Sequence, residues 1–289
     1  MNPILSRILT PTHSSDRRRI RFAALALLFA TGYASADLML HPTRIVLSQN
    51  QRAGQLEVIN NSSETVTYRI TLVNRRMSDT GSILAATDPQ PGELFADSLL
   101  RYSPRQVTLL PGAGQIVRLM VRKPGNLADG EYRSHLLFTK QPAAKSGSIA
   151  SRDSATNDEI GIVLNTLVGV SIPVIVRHGE TAAEMEITQL DLQNTGDAKP
   201  MLNFQLARAG NQSAYGDLTV THISTSGRSQ VLARVNGVAV YVPNSFRQVA
   251  MALAVPDNAA LNSGTLRVTF REQAKNGGGL LAEAQLILP

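Results

Sequence analysis

From Leu38 onward the apolar residues of the chain recur at every second position. Leu56 to Ile59, Val66 to Val73, Ile116 to Val121 and Tyr132 to Thr139 all carry this spacing, which puts alternate side chains on opposite faces of an extended strand. Turn compositions separate the runs, among them Asn60-Asn61-Ser62-Ser63 and Pro111-Gly112. No segment repeats its apolar residues at the helical spacing between caps. Such a chain can bury its apolar faces only by laying sheets together, so an all-β sandwich architecture is expected. Beyond Arg177-His178-Gly179-Glu180-Thr181 a fresh set of seven short strands begins, enough for one immunoglobulin-like sandwich. Two such domains are therefore expected, over 37–177 and 182–289, with a hinge at 178–181.

The first 36 residues read differently. Arg17, Arg18, Arg19 and Arg21 precede an apolar run from Phe22 to Ala30, too short to span a bilayer. Ala34-Ser35-Ala36 supplies the small-x-small pattern of a signal-peptidase site, so cleavage before Asp37 and export are expected. An N-terminal membrane anchor is the alternative. The leader also decides the charge. The whole chain carries 28 basic and 22 acidic residues, but five Arg and one Asp lie in the leader, leaving 23 and 21. A net of +2 gives no reason to expect nucleic acid as a partner. No later stretch is long and apolar enough to cross a membrane as a helix, so the mature chain is not expected to insert.

Reactive constellations are missing as well. The chain has no cysteine, which excludes disulfides, thiolate metal sites and thiol nucleophiles. His41, His135, His178 and His222 show no metal-ligand spacing and read as surface or edge-strand residues. No nucleophile elbow and no phosphate loop occur, and Gly277-Gly278-Gly279 reads as a hairpin turn. Neither an enzyme, nor a metal, nor a cofactor is expected.

One segment exceeds what a sandwich needs. Ile160 to Arg177 is apolar at nearly every alternate position and long enough for about 60 Å of strand at ~3.3 Å per residue. Pro173 cannot donate to a ladder, which places that point at an edge or a bulge. Two readings stand: a strand, straight or bent, enclosed by its own fold, or an edge offered to another chain.

Several of these segments together resemble one family. Leu40-His41-Pro42-Thr43-Arg44-Ile45-Val46, Val58-Ile59-Asn60-Asn61, Ser103 to Gly112 with Gln115 to Leu119, Asp129 to Ser134, and Ile172 to Arg177 are similar to motifs of the PapD-like periplasmic pilus-assembly chaperones of the chaperone–usher pathway. The resemblance is strongest in the first half. It implies two immunoglobulin-like domains set as a boomerang, with no enzymatic activity. It further implies a periplasmic protein that stabilises pilin subunits by lending them a strand, about 160–176, and delivers them to an outer-membrane usher.

Carried over by position, the lent residues are Ile162, Leu164, Thr166 and Val168, whereas a one-residue slip would offer Val163, Asn165 and Leu167. Arg44 matches the arginine that anchors the subunit's terminal carboxylate. Its usual lysine partner falls on Pro173, a departure for which Arg133 on the neighbouring strand is the candidate replacement. Glu131 and Arg177 match members of an interdomain salt-bridge network, with Glu272 as the third. A free lent strand also offers a route to self-association. The competing reading is an exported adhesin or pilus structural component built from similar sandwiches.

Overall fold

The computed structural model describes residues 37–142, 169–193, 199–255 and 261–289. Residues 1–36, 143–168, 194–198 and 256–260 lie outside these. From Leu38 on, the chain forms one compact unit. It contains two β-sandwiches, as the alternation of the sequence requires.

The first sandwich packs two sheets. One runs in the order β1 (Leu38–His41), β3 (Ala53–Asn60), β9 (Gly114–Val121), β7 (Leu100–Ser103). The other is β2 (Ile45–Leu47), β11 (Gly169–His178), β10 (Gly130–Lys140), β4 (Val66–Val73), β8 (Gln106–Leu109). Alternate residues of both meet in one core that includes Leu56, Val58, Ile70, Val117, Leu119, Leu136, Phe138 and Val174. The Asn60-to-Ser63 turn is closed by its own first residue. Asn60 is fully buried, and its Nδ2 donates to the carbonyls of Glu64 at 2.7 Å and Leu109 at 3.0 Å. Gly112 adopts φ 72° in the Pro111-Gly112 turn, a conformation that costs glycine little, and its N–H reaches Asn60 O at 2.8 Å.

The second sandwich pairs β12 (Ala183–Gln193), β13 (Met201–Gly210) and β16 (Phe246–Ala252) against β15 (Ser229–Val240), β14 (Ala214–Ile223), β17 (Gly264–Arg271) and β18 (Leu280–Leu288). The triple-glycine stretch follows a short 3-10 turn, Ala274–Asn276, that leads into β18. Its core includes Leu202, Leu206, Leu218, Val240, Val268 and Phe270.

Two buried residues of the first half belong to this second core, Ile175 and Met77. Ile175 sits on β11 with its side chain on the face opposite Val174 and Val176, so one strand serves both cores. Met77 ends β5 (Arg75–Met77), which forms a hairpin with β6 (Ile83–Ala85). The hairpin tip is clasped to the second sandwich. Asp79 O accepts from Gln248 N at 2.6 Å, and Asp79 Oδ1 accepts from Asn244 Nδ2 at 3.2 Å. Gly81 lies so close to the Arg247 guanidinium that any Cβ there would overlap it.

Candidate functional site

The register of the second sheet builds the site. In β10 and β11, Glu131 stands opposite Arg177, Arg133 opposite Ile175 and His135 opposite Pro173. Parallel β2 adds Val46 beside Ile175. Arg44 immediately precedes β2, one residue outside its pairing with β11. All these odd-numbered β10 and β11 positions share the face turned away from the first core and towards the second sandwich. Pro173 therefore has His135 directly opposite and Arg133 diagonal to it, with Arg44 just beyond the end of the β2 pairing. Positive charge that a residue at 173 does not supply is present on β10, as Arg133, and just ahead of β2, as Arg44.

The arginines converge on tyrosines of the second sandwich. The Arg133 guanidinium carbon lies 4.0 Å from the ring centroid of Tyr241. That of Arg44 lies 5.3 Å from the same ring and 4.5 Å from that of Tyr215. Arg44 Nη1 also donates to the Tyr241 hydroxyl at 3.1 Å. Neither arginine has a salt-bridge partner among the described residues. Arg133 is only 6% exposed, and its Nη1 is buried without a hydrogen-bond partner. Burial holds its pKa below the usual arginine range, and the charge of Arg44 adds to the effect. An orphaned, buried cationic donor is costly, and an anion arriving beside it would satisfy it.

His135 differs from its expected place. It is not a surface or edge residue but 3% exposed on central strand β10, because the packing of the second sandwich covers that face. Burial first, then the charges of Arg133, Arg75 and Arg44, push its pKa down to about 3, so its ring is neutral at ordinary pH. Its Nδ1 has no partner.

A second cluster lies beside the first. Arg177 Nε donates to Glu131 Oε2 at 3.0 Å. Glu131 is 2% exposed and is also met from the second sandwich by Ser213, whose N–H donates to Oε2 at 3.1 Å and whose hydroxyl donates to Oε1. Val242 N donates in turn to Ser213 Oγ at 3.0 Å. Glu272, expected as the third member, makes no ion pair with Arg177. It lines the same cleft, a cavity of about 360 Å³ that also borders Arg44, Arg177, Ser213 and Tyr215. The physical reason is that Ser213 supplies two neutral donors to Glu131. A second carboxylate at that point would repel the first.

The expected lent residues Ile162, Leu164, Thr166 and Val168 lie outside the described residues. β11 itself begins at Gly169. Strand β2 covers its free side only along Val174–Val176, so among the described residues Gly169–Pro173 pair with β10 alone. Val170, on this open stretch, is 44% exposed.

Tyr241, Tyr215, Ser213 and the β5–β6 hairpin carry no motif in the sequence. Tyr241 only ends a strand pattern before Val242-Pro243, a signal shared by many structural tyrosines. Among the described residues no group of acidic, histidine or cysteine side chains could hold a metal ion, and no helix is long and apolar enough to cross a membrane.

No protein-family model matches the chain, and no curated protein matches it. Solved structures do. The YadV chaperone matches with 12% identity, 88% of this chain and 100% of that one covered, and a TM-score of 0.42. The CupB2 chaperone of Pseudomonas aeruginosa matches with 13% identity, 87% and 100% covered, and a TM-score of 0.42. The SafB chaperone, solved with the SafA pilin of Salmonella enterica, matches with 13% identity, 89% and 99% covered, and a TM-score of 0.40.

Proposed function

We propose that this protein is a periplasmic chaperone that binds incomplete pilus subunits, lends them the edge of β11 and its N-terminal continuation, and passes them to an outer-membrane usher. The observation that carries the reading is the pair of arginines, Arg44 and Arg133, gathered on Tyr241 with no acidic partner. Glu131 and Glu93 favour the Arg133 charge from a distance but are paired with Arg177 and Arg76, so two partly desolvated guanidiniums held together with no carboxylate in contact are organised to receive one. The guanidinium fork suits a carboxylate, since two N–H groups meet two oxygens.

The strand edge gives the second half of the reading. An extended partner pairing with Gly169–Pro173 and the residues before them would gain main-chain hydrogen bonds, while alternate side chains fill its groove. Two-residue spacing in the sequence would put Val168, Thr166, Leu164 and Ile162 on the same side as Val170 and Ile172 in an extended continuation. Each aliphatic group buried would contribute about 1.5–3 kcal/mol, and a charged hydrogen bond a similar amount. Several side chains against one anchor make the strand the larger source of attraction, with the carboxylate setting register.

The test is co-expression with candidate fimbrial subunits followed by pull-down. Arg44→Ala and Leu164→Glu should each abolish subunit recovery while the chaperone stays folded. Normal recovery by both variants would reject the site. Export is checked separately: the mature protein should begin at Asp37.

A further inference from the structure

We infer that Tyr241 is itself part of the carboxylate anchor: its ring holds the two guanidiniums side by side, and its hydroxyl proton is donated to the bound carboxylate. This rests on the proposed function, in which the cleft receives a chain-end carboxylate. Arg44, just before β2, and Arg133, on β10, come from the first sandwich, whereas Tyr241 follows β15 of the second. Two cations so placed repel each other, the more so with Arg133 taken out of water. The negative face of an aromatic ring offsets that repulsion, and both guanidiniums lie within reach of this one, at 4.0 and 5.3 Å.

The hydroxyl adds a directional argument. Arg44 Nη1 donates to the phenolic oxygen, which fixes that oxygen as an acceptor and leaves its single proton pointing elsewhere. Among the described residues no group accepts that proton. Arg133 Nη1, on the same ring, likewise donates to nothing. Two unused donors beside one positive pair are the complement of a carboxylate, with its two oxygens and spare lone pairs. Arg44 borders an open cleft, from which a carboxylate would have to reach inward to the nearly buried Tyr241 and Arg133. The anchor is thus assembled across both sandwiches, and it exists only while they hold their mutual position.

The test uses the mature chain with sodium acetate as the probe and acetamide as its uncharged control, at constant ionic strength. The arginine side-chain N–H signals are followed by nuclear magnetic resonance. In the free wild type, the Arg44 and Arg133 signals should be displaced by the ring current of Tyr241. Acetate should shift both saturably, and acetamide should not. Tyr241→Phe keeps the ring, so the displacement should persist while acetate binding weakens about tenfold or more. Tyr241→Leu should lose both the displacement and the binding, with backbone signals far from the cleft unchanged. Wild-type acetate affinity in Tyr241→Phe, or unaltered arginine signals in Tyr241→Leu, would overturn the inference. Should Tyr241→Leu not fold, the Phe variant decides alone. A wild type that ignores acetate overturns this inference and leaves the strand-lending reading to its own test. A wild type that binds acetate with these shifts yet recovers no subunit supports this inference and rejects that reading.

Discussion

Ser213 grips the carboxylate of Glu131 twice, with its amide N–H and with its hydroxyl, across the boundary between the two sandwiches. Arg177 completes the set from the strand next to Glu131. The carboxylate is almost wholly out of water, and these donors take the place of its hydration. Glu131→Ala would leave Arg177 and both Ser213 donors unmatched. The expected loss is about 3–5 kcal/mol, read from the midpoint of urea unfolding.

Glu272 makes the contrasting prediction. It borders the same cleft but takes no part in the ion pair. Glu272→Gln should change stability by no more than about 0.5 kcal/mol in the same experiment. A loss as large as that of Glu131→Ala would mean that Ser213 does not stand in for an acidic third member.

The β5–β6 hairpin ties the sandwiches by packing rather than by charge. Met77 is buried in the second core although it belongs to the first half of the chain. Met77→Ala should cost about 2–5 kcal/mol. Amide hydrogen exchange should rise at Gln248, whose N–H is bound by the hairpin tip, before it rises in the interior of β14.

His135 gives the protein a pH dependence of known sign. Its folded pKa of about 3 lies below the ordinary value of 6.5, so the unfolded chain binds the proton more readily. The stabilising effect of its neutral form is complete above about pH 6.5 and is lost as the pH falls towards 3, at up to about 1.4 kcal/mol per pH unit. Unfolding free energies measured between pH 7 and 4 should show this slope. In His135→Leu the slope should be shallower by this one group's share.

Glu93 and Arg76 supply a second, partly buried ion pair for comparison. The carboxylate accepts from Arg76 Nε and Nη2, both at 2.6 Å, and this contact holds the Glu93 pKa below its usual range. The Arg76 side chain is 26% exposed but that of Glu93 only 3%, so Glu93→Gln should cost about 1.5–3 kcal/mol. Its effect should shrink in high salt, whereas that of Glu131→Ala should not.

The alternation of apolar residues by itself determined that this chain makes sandwiches, because a period of two leaves a strand one face to bury and one to expose. Glu131, Arg177 and Arg133 could be singled out from the sequence only through the resemblance of their segments to a known family, and the structure stands Glu131 opposite Arg177 and Arg133 opposite Ile175. What the sequence could not display is which outer face of the first sandwich would be covered by the second. That covering turned His135 from a surface residue into a neutral buried one, put Ser213 where an acid was expected, and brought Tyr241 onto two arginines roughly 110 and 200 positions away in the chain. Burial and desolvation are properties of the assembled pair of sandwiches, and no local pattern records them.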